Sequence, residues 1–209
     1  MGDNGVTYPV DLWTVSLAHP RPTHLSEDEA ARANRFHFER DRVRWSRARS
    51  ALRLVLSRYA GEDPDSLFFA YGKLGKPSLA PLTGIEFNLS HSGDWAMIAV
   101  TREIPVGVDI ERMRPEVEIG KLLQRLEETD LPETVPELYH TWTRREAKTK
   151  ALGGALFDKP SGDVRVIDAV APDGYAASVA LVGHTPAIRY RTELRVGLNA
   201  PANVEDTGG

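Results

Sequence analysis

Hydrophobic and polar positions along the chain first predict a strand followed by a short helix. Apolar and polar side chains alternate over residues 10–17, a pattern typical of a strand, and prolines follow it closely. Ser26 stands three residues before Glu29, which is the spacing of a capping box that opens a helix. We expect this helix to continue to Phe36.

A longer helix is predicted over residues 41–59, because apolar residues recur there at helical spacing and form one stripe. The stripe consists of Trp45, Ala48, Leu52, Val55, Leu56 and Tyr59. Arginines occupy much of the remaining helix surface, at positions 42, 44, 47, 49 and 53. Charged side chains are mostly exposed in folded proteins, so we expect most of these arginines to be solvated and one or two to contact a ligand.

Turn signals and apolar runs predict the remaining elements. A short strand covers residues 67–70, and the glycines, lysines and proline of residues 71–78 predict a loop. The apolar run 96–100 predicts a buried strand, which a turn at 102–105 should join in a hairpin to a strand over 106–111. The same patterns predict helices over 119–126 and 137–152, and strands over 164–170, 176–182 and 187–195.

A weak internal repeat suggests how these elements are organised. Both long helices contain a tryptophan, a hydroxyl residue and an arginine in succession, at residues 45–47 and 142–144. The apolar segments 96–100 and 177–181 each precede a proline at the same spacing. We therefore predict an α+β fold with two pseudo-symmetric halves, residues 1–103 and 104–198, followed by a flexible tail over 199–209. Their interface is the expected ligand cleft.

Composition narrows the class of protein. Of the 209 residues, 41% are apolar and 27% charged, which is typical of a globular domain, and the absence of cysteine excludes disulfides, thiolate nucleophiles and Cys-ligated zinc. No signal-like segment and no bilayer-length apolar run is present, so we expect a cytoplasmic protein that does not bind a membrane. The net charge is −4, although ten arginines face only five acids between Arg21 and Arg58. This local positive charge suits a few phosphates or an acidic partner better than bulk nucleic acid.

The strand over residues 106–111 carries the first candidate chemistry. Its apolar residues alternate with Gly107, Asp109 and Glu111, so two carboxylates share one face. One interpretation is a half-buried strand whose outer face is simply acidic. The other is a site for a hard divalent cation such as Mg²⁺, which prefers oxygen ligands.

The second long helix adds a carboxylate and a cation. Trp142, Glu146 and Lys150 follow one another at four-residue intervals and therefore lie on one helix face. Glu146 and Lys150 could be an ordinary surface ion pair. Opposite a strand with two carboxylates, they would also form a site that binds Mg²⁺ and phosphate oxygens together.

His91 has two interpretations as well: a residue that caps a loop, or a phosphate ligand near Lys76.

Four motifs in order resemble those of the 4′-phosphopantetheinyl transferases of the surfactin-synthetase-activating type. They are Gly75-Lys-Pro77, Phe87-Asn-Leu-Ser-His-Ser92, Gly107-Val-Asp-Ile-Glu111, and Trp142-Thr-Arg-Arg-Glu-Ala147 with Lys150. The resemblance implies a monomer of two pseudo-symmetric halves that binds coenzyme A and Mg²⁺, with Mn²⁺ as an alternative, between them. It further implies transfer of phosphopantetheine to a serine of an apo acyl or peptidyl carrier protein, with release of 3′,5′-adenosine diphosphate.

The resemblance also implies roles for individual residues. The metal ligands would be Asp109, Glu111 and Glu146. The catalytic residues would be Glu146, as the base for the serine proton, and Lys150, on the diphosphate. The nucleotide end of coenzyme A would contact Arg32, Arg44, Ser90 and His91, and the adenine side would be lined by Lys76 and Pro77.

Two positions depart from the family pattern. Arg145 stands where the family usually has lysine, and Glu29 stands where a basic residue is common.

Two other functions compete with the one that the resemblance implies. One is a non-catalytic module that binds coenzyme A or a carrier protein without transfer. The other is a nucleic-acid binder built on the arginine helix, which the net negative charge opposes.

Overall fold

The computed structural model describes residues 7–72, 75–81, 83–114, 132–153 and 163–191. These ranges contain the helices α1 (Glu27–Ala33), α2 (Glu39–Ala60) and α3 (Val135–Ala151). Their strands are β1 (Thr7–Ser16), β2 (Phe68–Tyr71), β3 (Pro77–Ala80), β4 (Ile85–Ser92), β5 (Trp95–Arg102), β6 (Val106–Arg112), β7 (Val164–Asp168), β8 (Tyr175–Val182) and β9 (Thr185–Arg191). The predicted helix over 119–126 and the tail over 199–209 lie outside the described residues.

Two sheets pack face to face between two helices, so the predicted α+β class is confirmed. One sheet has the strand order β4-β5-β1-β9 and the other has the order β6-β8-β7, while β2 and β3 form a separate ribbon. Alternation along β1 explains the layers: Trp13 and Val15 belong to the core beneath α2. Val10 and Leu12 point the other way, into the core shared with β6 and β8. Helix α3 covers the far face of the second sheet through small side chains such as Ala147.

The predicted hairpin between residues 96–100 and 106–111 is wrong. β5 has β4 on one side and β1 on the other, so it offers no free edge to β6. After β5 the chain passes through Glu103, which has a positive φ of 60°, and crosses to the other sheet. There β6 pairs antiparallel with β8, with Asp109 opposite Ser178.

The last described strand, β9, returns to the first sheet and lies parallel to β1. A buried carboxylate fixes this pairing: Asp11 accepts hydrogen bonds from Arg189 Nε at 2.8 Å, Arg191 Nε at 3.1 Å and the Tyr59 hydroxyl at 2.8 Å. The four-stranded sheet therefore draws strands from both of the predicted ranges, 1–103 and 104–198.

Two of the arginines predicted to be solvated are buried. Arg49 is 7% exposed and Arg53 is 2% exposed, because both guanidinium groups bind the carboxylate of Glu29 on α1. Burial alone raises the pKa of Glu29, but the hydrogen bond from Arg53 and the charge of Arg49 outweigh it and hold that pKa below its ordinary value. A helical pattern cannot reveal this, because the compensating charge comes from another helix.

We expect Glu29→Gln to destabilise the protein by about 3 kcal/mol at pH 7, because it leaves two buried guanidinium groups without a full counter-charge. Since the pKa of Glu29 is lowered, this stabilisation is present at neutral pH and is lost as the pH falls through that lowered value. Urea unfolding at pH 7 measures the effect. Glu39→Gln is the matched control, because Glu39 pairs with Arg42 on the surface, and its unfolding midpoint should not change.

Smaller differences from the predictions concern element ends. α1 ends at Ala33, so Phe36 lies beyond it. The predicted loop over 71–78 is shorter, because Tyr71 and Pro77 pair at the ends of β2 and β3. His91 lies within β4, so the loop-capping interpretation of that residue is wrong. None of the helices in the described ranges combines the length and apolar character needed to cross a membrane.

Candidate active site

Side chains of β4 join it to β6, which is an edge strand of the other sheet. Asn88, Ser90 and Ser92 alternate along β4 and therefore share one face. The Ser90 hydroxyl donates to Asp109 Oδ1 at 2.8 Å, and the Ser92 hydroxyl donates to Glu111 Oε2 at 2.7 Å. Asn88 Oδ1 accepts from the backbone N–H of β6 one residue before Asp109, at 3.0 Å. These polar side chains of β4 therefore orient both carboxylates of β6, Asp109 and Glu111.

Gly107 lets α3 lie directly on the carboxylate face of β6. A Cβ atom at this position would lie 2.0 Å from the carbonyl oxygen of Ala147 and 2.5 Å from the amide nitrogen of Ala151. Both atoms belong to the α3 backbone and cannot rotate away. The close approach brings Glu146 and Lys150 over the face that carries Asp109.

An ion pair links the helix to the strand. Lys150 Nζ donates to Asp109 Oδ1 at 2.6 Å and to the Ser90 hydroxyl oxygen at 3.1 Å. The Asp109 side chain is 3% exposed and the Lys150 side chain 28% exposed, so the pair is buried on one side and open on the other. Lys150 can therefore reach a ligand in the cleft while it remains close to the carboxylates.

Two buried carboxylate oxygens at this site have no hydrogen-bond donor among the described residues: Asp109 Oδ2 and Glu146 Oε1. Buried anionic oxygens without a donor are unfavourable, and a hard divalent cation would satisfy them. The chemistry of these groups therefore fits Mg²⁺. Their arrangement fits it less well: within the described ranges no three His, Asp or Glu side chains could hold a metal ion as they stand.

Burial and mutual repulsion perturb the acids of the site. Burial raises the pKa of Glu146 to about 7; the ammonium of Lys150 opposes this rise and the charge of Asp109 adds to it. Burial also raises the pKa of Glu111, again with a contribution from Asp109. Carboxylates whose pKa is raised by burial and by a neighbouring negative charge are typical of a site that binds a cation or moves a proton.

In metal-free protein, we expect Glu146→Gln to gain stability relative to the wild type as the pH rises from about 4.5 to about 7. The unfolded state of the wild type loses the Glu146 proton near pH 4.5, whereas the native state retains it up to about pH 7. The unfolded state then binds fewer protons, so native stability falls by up to about 3 kcal/mol over this range. Urea unfolding in EDTA at pH 4.5 and 8 measures the difference, and equal pH profiles for both proteins would contradict the raised pKa.

The site opens into a cleft of about 410 Å³. Eight of the residues predicted from the sequence line it: Arg32, Pro77, Ser90, His91, Asp109, Glu111, Glu146 and Lys150. The structure thus brings most of the predicted site together. His91 is exposed here, and partial desolvation and the charge of Lys150 lower its pKa.

Two predicted residues lie elsewhere. Arg44 does not line the cleft and donates through Nη2 to Asp94 Oδ1 at 2.7 Å. Lys76 lines a different cavity, where its ammonium donates to the backbone carbonyls of Val106 at 3.3 Å and Lys150 at 3.0 Å. Burial lowers the pKa of the Lys76 ammonium. Lys76 thus ties the end of α3 to β6.

Several residues of the site are not among those predicted from the sequence. Trp45, Arg49 and Tyr71 line the cleft, and Ser92 holds Glu111. Trp45 was assigned to the apolar stripe of α2, whose exposed margin forms the cleft wall. The signal for Ser92 was available, because it follows Ser90 by two residues on a strand and must share its face.

Comparisons with known proteins show the family to which the chain belongs. A family model described as 4′-phosphopantetheinyl transferase, N-terminal, matches residues 17–103. The 4′-phosphopantetheinyl transferase HetI of Nostoc sp. is 35% identical over 165 residues, which cover 70% of this chain and 70% of the relative. A 4′-phosphopantetheinyl transferase of Bacillus subtilis is 31% identical over 170 residues, which cover 78% of this chain and 74% of the relative.

The 4′-phosphopantetheinyl transferase Sfp of Bacillus subtilis strain 168 is 31% identical over 139 residues, which cover 63% of this chain and 62% of the relative. The resemblance inferred from the motifs is thereby confirmed, and so is the assignment as an enzyme. The chain belongs to the family of 4′-phosphopantetheinyl transferases, of the Sfp type.

Proposed function

We propose that this enzyme transfers 4′-phosphopantetheine from coenzyme A to a serine of an apo acyl or peptidyl carrier protein, with Mg²⁺ as cofactor and 3′,5′-adenosine diphosphate as product. One observation carries the proposal: three carboxylates and the ammonium of Lys150 line a single cleft between β4, β6 and α3. Phosphoryl transfer requires mainly that the protein position the reactants and neutralise the developing charge. This set of groups can do both.

Roles follow from the environment of each group. Asp109, Glu111 and Glu146 would hold Mg²⁺, which when bound neutralises charge on the diphosphate. Lys150 is partly exposed and would place its ammonium on the same diphosphate. Glu146 is 6% exposed and lines the same cleft, where its carboxylate would also take the serine proton as a general base. The serine oxygen then forms a bond to the phosphorus that bears pantetheine, and the bond from that phosphorus to the nucleotide breaks.

We also propose that residues 1–103 and 104–198 act as two halves with coenzyme A at their interface. The hydrogen bonds Ser90–Asp109 and Ser92–Glu111 cross that boundary and support it. Each long helix covers one sheet, α2 the first and α3 the second. The resemblance of the motifs also implies a monomer, and we propose that state for this enzyme.

The direct test is incubation with coenzyme A, Mg²⁺ and apo carrier proteins of the fatty-acid, polyketide and nonribosomal-peptide classes. Mass spectrometry of the carrier should show the addition of one phosphopantetheine to at least one of them, and excess EDTA should prevent it. If none of the carriers gains this mass, the proposed reaction is wrong for this chain.

A further inference from the structure

We propose that Arg49, held in place by Glu29 and Tyr71, recognises the phosphate monoester on the ribose of coenzyme A. The inference rests on the proposed function, since it assumes that coenzyme A binds in the cleft. It adds a specificity-determining residue on α2 that the motifs did not indicate and that replaces Arg44 in this role.

Contacts on two sides immobilise the Arg49 guanidinium. Nε donates to Glu29 Oε1, and Nη2 donates to the Tyr71 hydroxyl at 2.7 Å. The guanidinium carbon also lies 4.2 Å from the ring centroid of Phe69. Within the described residues, Nη1 has no hydrogen-bond acceptor. A planar cation fixed in this way is pre-organised for an anion, because little side-chain entropy remains to be lost on binding.

Charge balance at the cluster leaves one positive charge for a ligand. Glu29 carries one negative charge, and it faces two buried guanidinium groups. Arg53 directs Nη1 to the backbone carbonyls of Pro64 and Leu67, at 2.8 and 3.0 Å, and does not line the cleft. Arg49 does line it. The uncompensated charge of the cluster is therefore presented to the cleft by Arg49.

The position of Arg49 identifies which phosphate it would bind. Asp109 on β6 and Lys150 on α3 line one side of the cleft, and the diphosphate would lie beside them. Arg49 and Tyr71 line it from α2 and β2, and Tyr71 also borders a neighbouring cavity beside α1. The α1 and α2 side of the cleft carries the cations Arg32 and Arg49, so we place the anionic nucleotide end of coenzyme A there and not its neutral pantetheine end. Arg44, the residue expected there, is bound to Asp94 and does not line the cleft.

Coenzyme A and dephospho-coenzyme A, which lacks this phosphate monoester, provide the test. For Arg49→Met we expect KM for coenzyme A to rise about 10- to 100-fold, as for the loss of a charge-assisted hydrogen bond. KM for dephospho-coenzyme A should be unchanged, and kcat should change little with either substrate. Arg49→Lys should lie between the wild type and Arg49→Met. Arg47→Met is the matched control on the same helix, because Arg47 binds the backbone carbonyl of Leu17 and does not line the cleft.

Comparison of two substrates within one protein preparation keeps the test valid if a variant is destabilised, because partial unfolding lowers the rate with both substrates equally. An equal rise in KM for coenzyme A and dephospho-coenzyme A in Arg49→Met would overturn the proposal, and so would an unchanged KM for coenzyme A. A wild-type protein that modifies no carrier defeats the proposed function instead. In that case the Kd values of coenzyme A and dephospho-coenzyme A are measured by calorimetry instead of KM. Arg49→Met should then raise the Kd of coenzyme A and leave that of dephospho-coenzyme A unchanged.

Discussion

Asp109→Asn is expected to lower the rate of phosphopantetheine transfer by about 10³-fold, comparable to the loss of one pre-organised charge-stabilising group. The substitution preserves the side-chain volume of a residue that is 2% exposed, and the amide oxygen can still accept from Lys150 and Ser90. What is lost is the negative charge and the buried oxygen Oδ2, which has no donor among the described residues. The proposed cation site loses a ligand while the fold is retained.

Transfer rates, thermal unfolding and a Mg²⁺ titration together measure this effect. Wild-type protein with coenzyme A should gain thermal stability on addition of Mg²⁺, and Asp109→Asn should gain little. Asp168→Asn is the matched control: its carboxylate lies on β7 of the same sheet, binds Arg144 and does not line the cleft. Transfer by Asp109→Asn at close to the wild-type rate would remove Asp109 from the metal site.

The sequence pattern predicted which segments form helices and strands better than which strands pair. Period-two and helical patterns are local, so β1, α2 and α3 were placed close to their observed bounds. Pairing is not local: the pattern of residues 106–111 is the same whether β6 neighbours β5 or β8. Nor does a helical pattern identify a buried cation such as Arg53, because its burial depends on Glu29, 24 residues away.

The candidate site was predictable where residue type and spacing restrict the geometry. Alternation places Asp109 and Glu111 on one face of a strand, and four-residue spacing places Glu146 and Lys150 on one face of a helix. The wall formed by Arg49 and Tyr71 was not predictable. It depends on the packing of α1, α2 and β2 against one another, and none of these residues belongs to a recognisable motif.

Gly107→Ala is expected to lower transfer about 10²-fold and to destabilise the protein by about 1 to 3 kcal/mol. The new Cβ would lie 2.0 Å from the carbonyl oxygen of Ala147, so strand and helix must separate. Since α3 carries Glu146 and Lys150, their displacement from Asp109 disrupts the site although no functional side chain has been replaced. A misplacement of about 1 Å is sufficient for a loss of this size.

A control variant separates the effect of close packing at Gly107 from the general effect of adding a methyl group. Gly72→Ala is the matched control, because a Cβ there meets only the carbonyl oxygen of Lys76 at an ordinary 3.7 Å. Gly72→Ala should retain both transfer activity and its urea midpoint. If Gly107→Ala keeps full activity and stability, α3 can move without consequence. The close approach of helix and strand would then not be what holds Lys150 against Asp109.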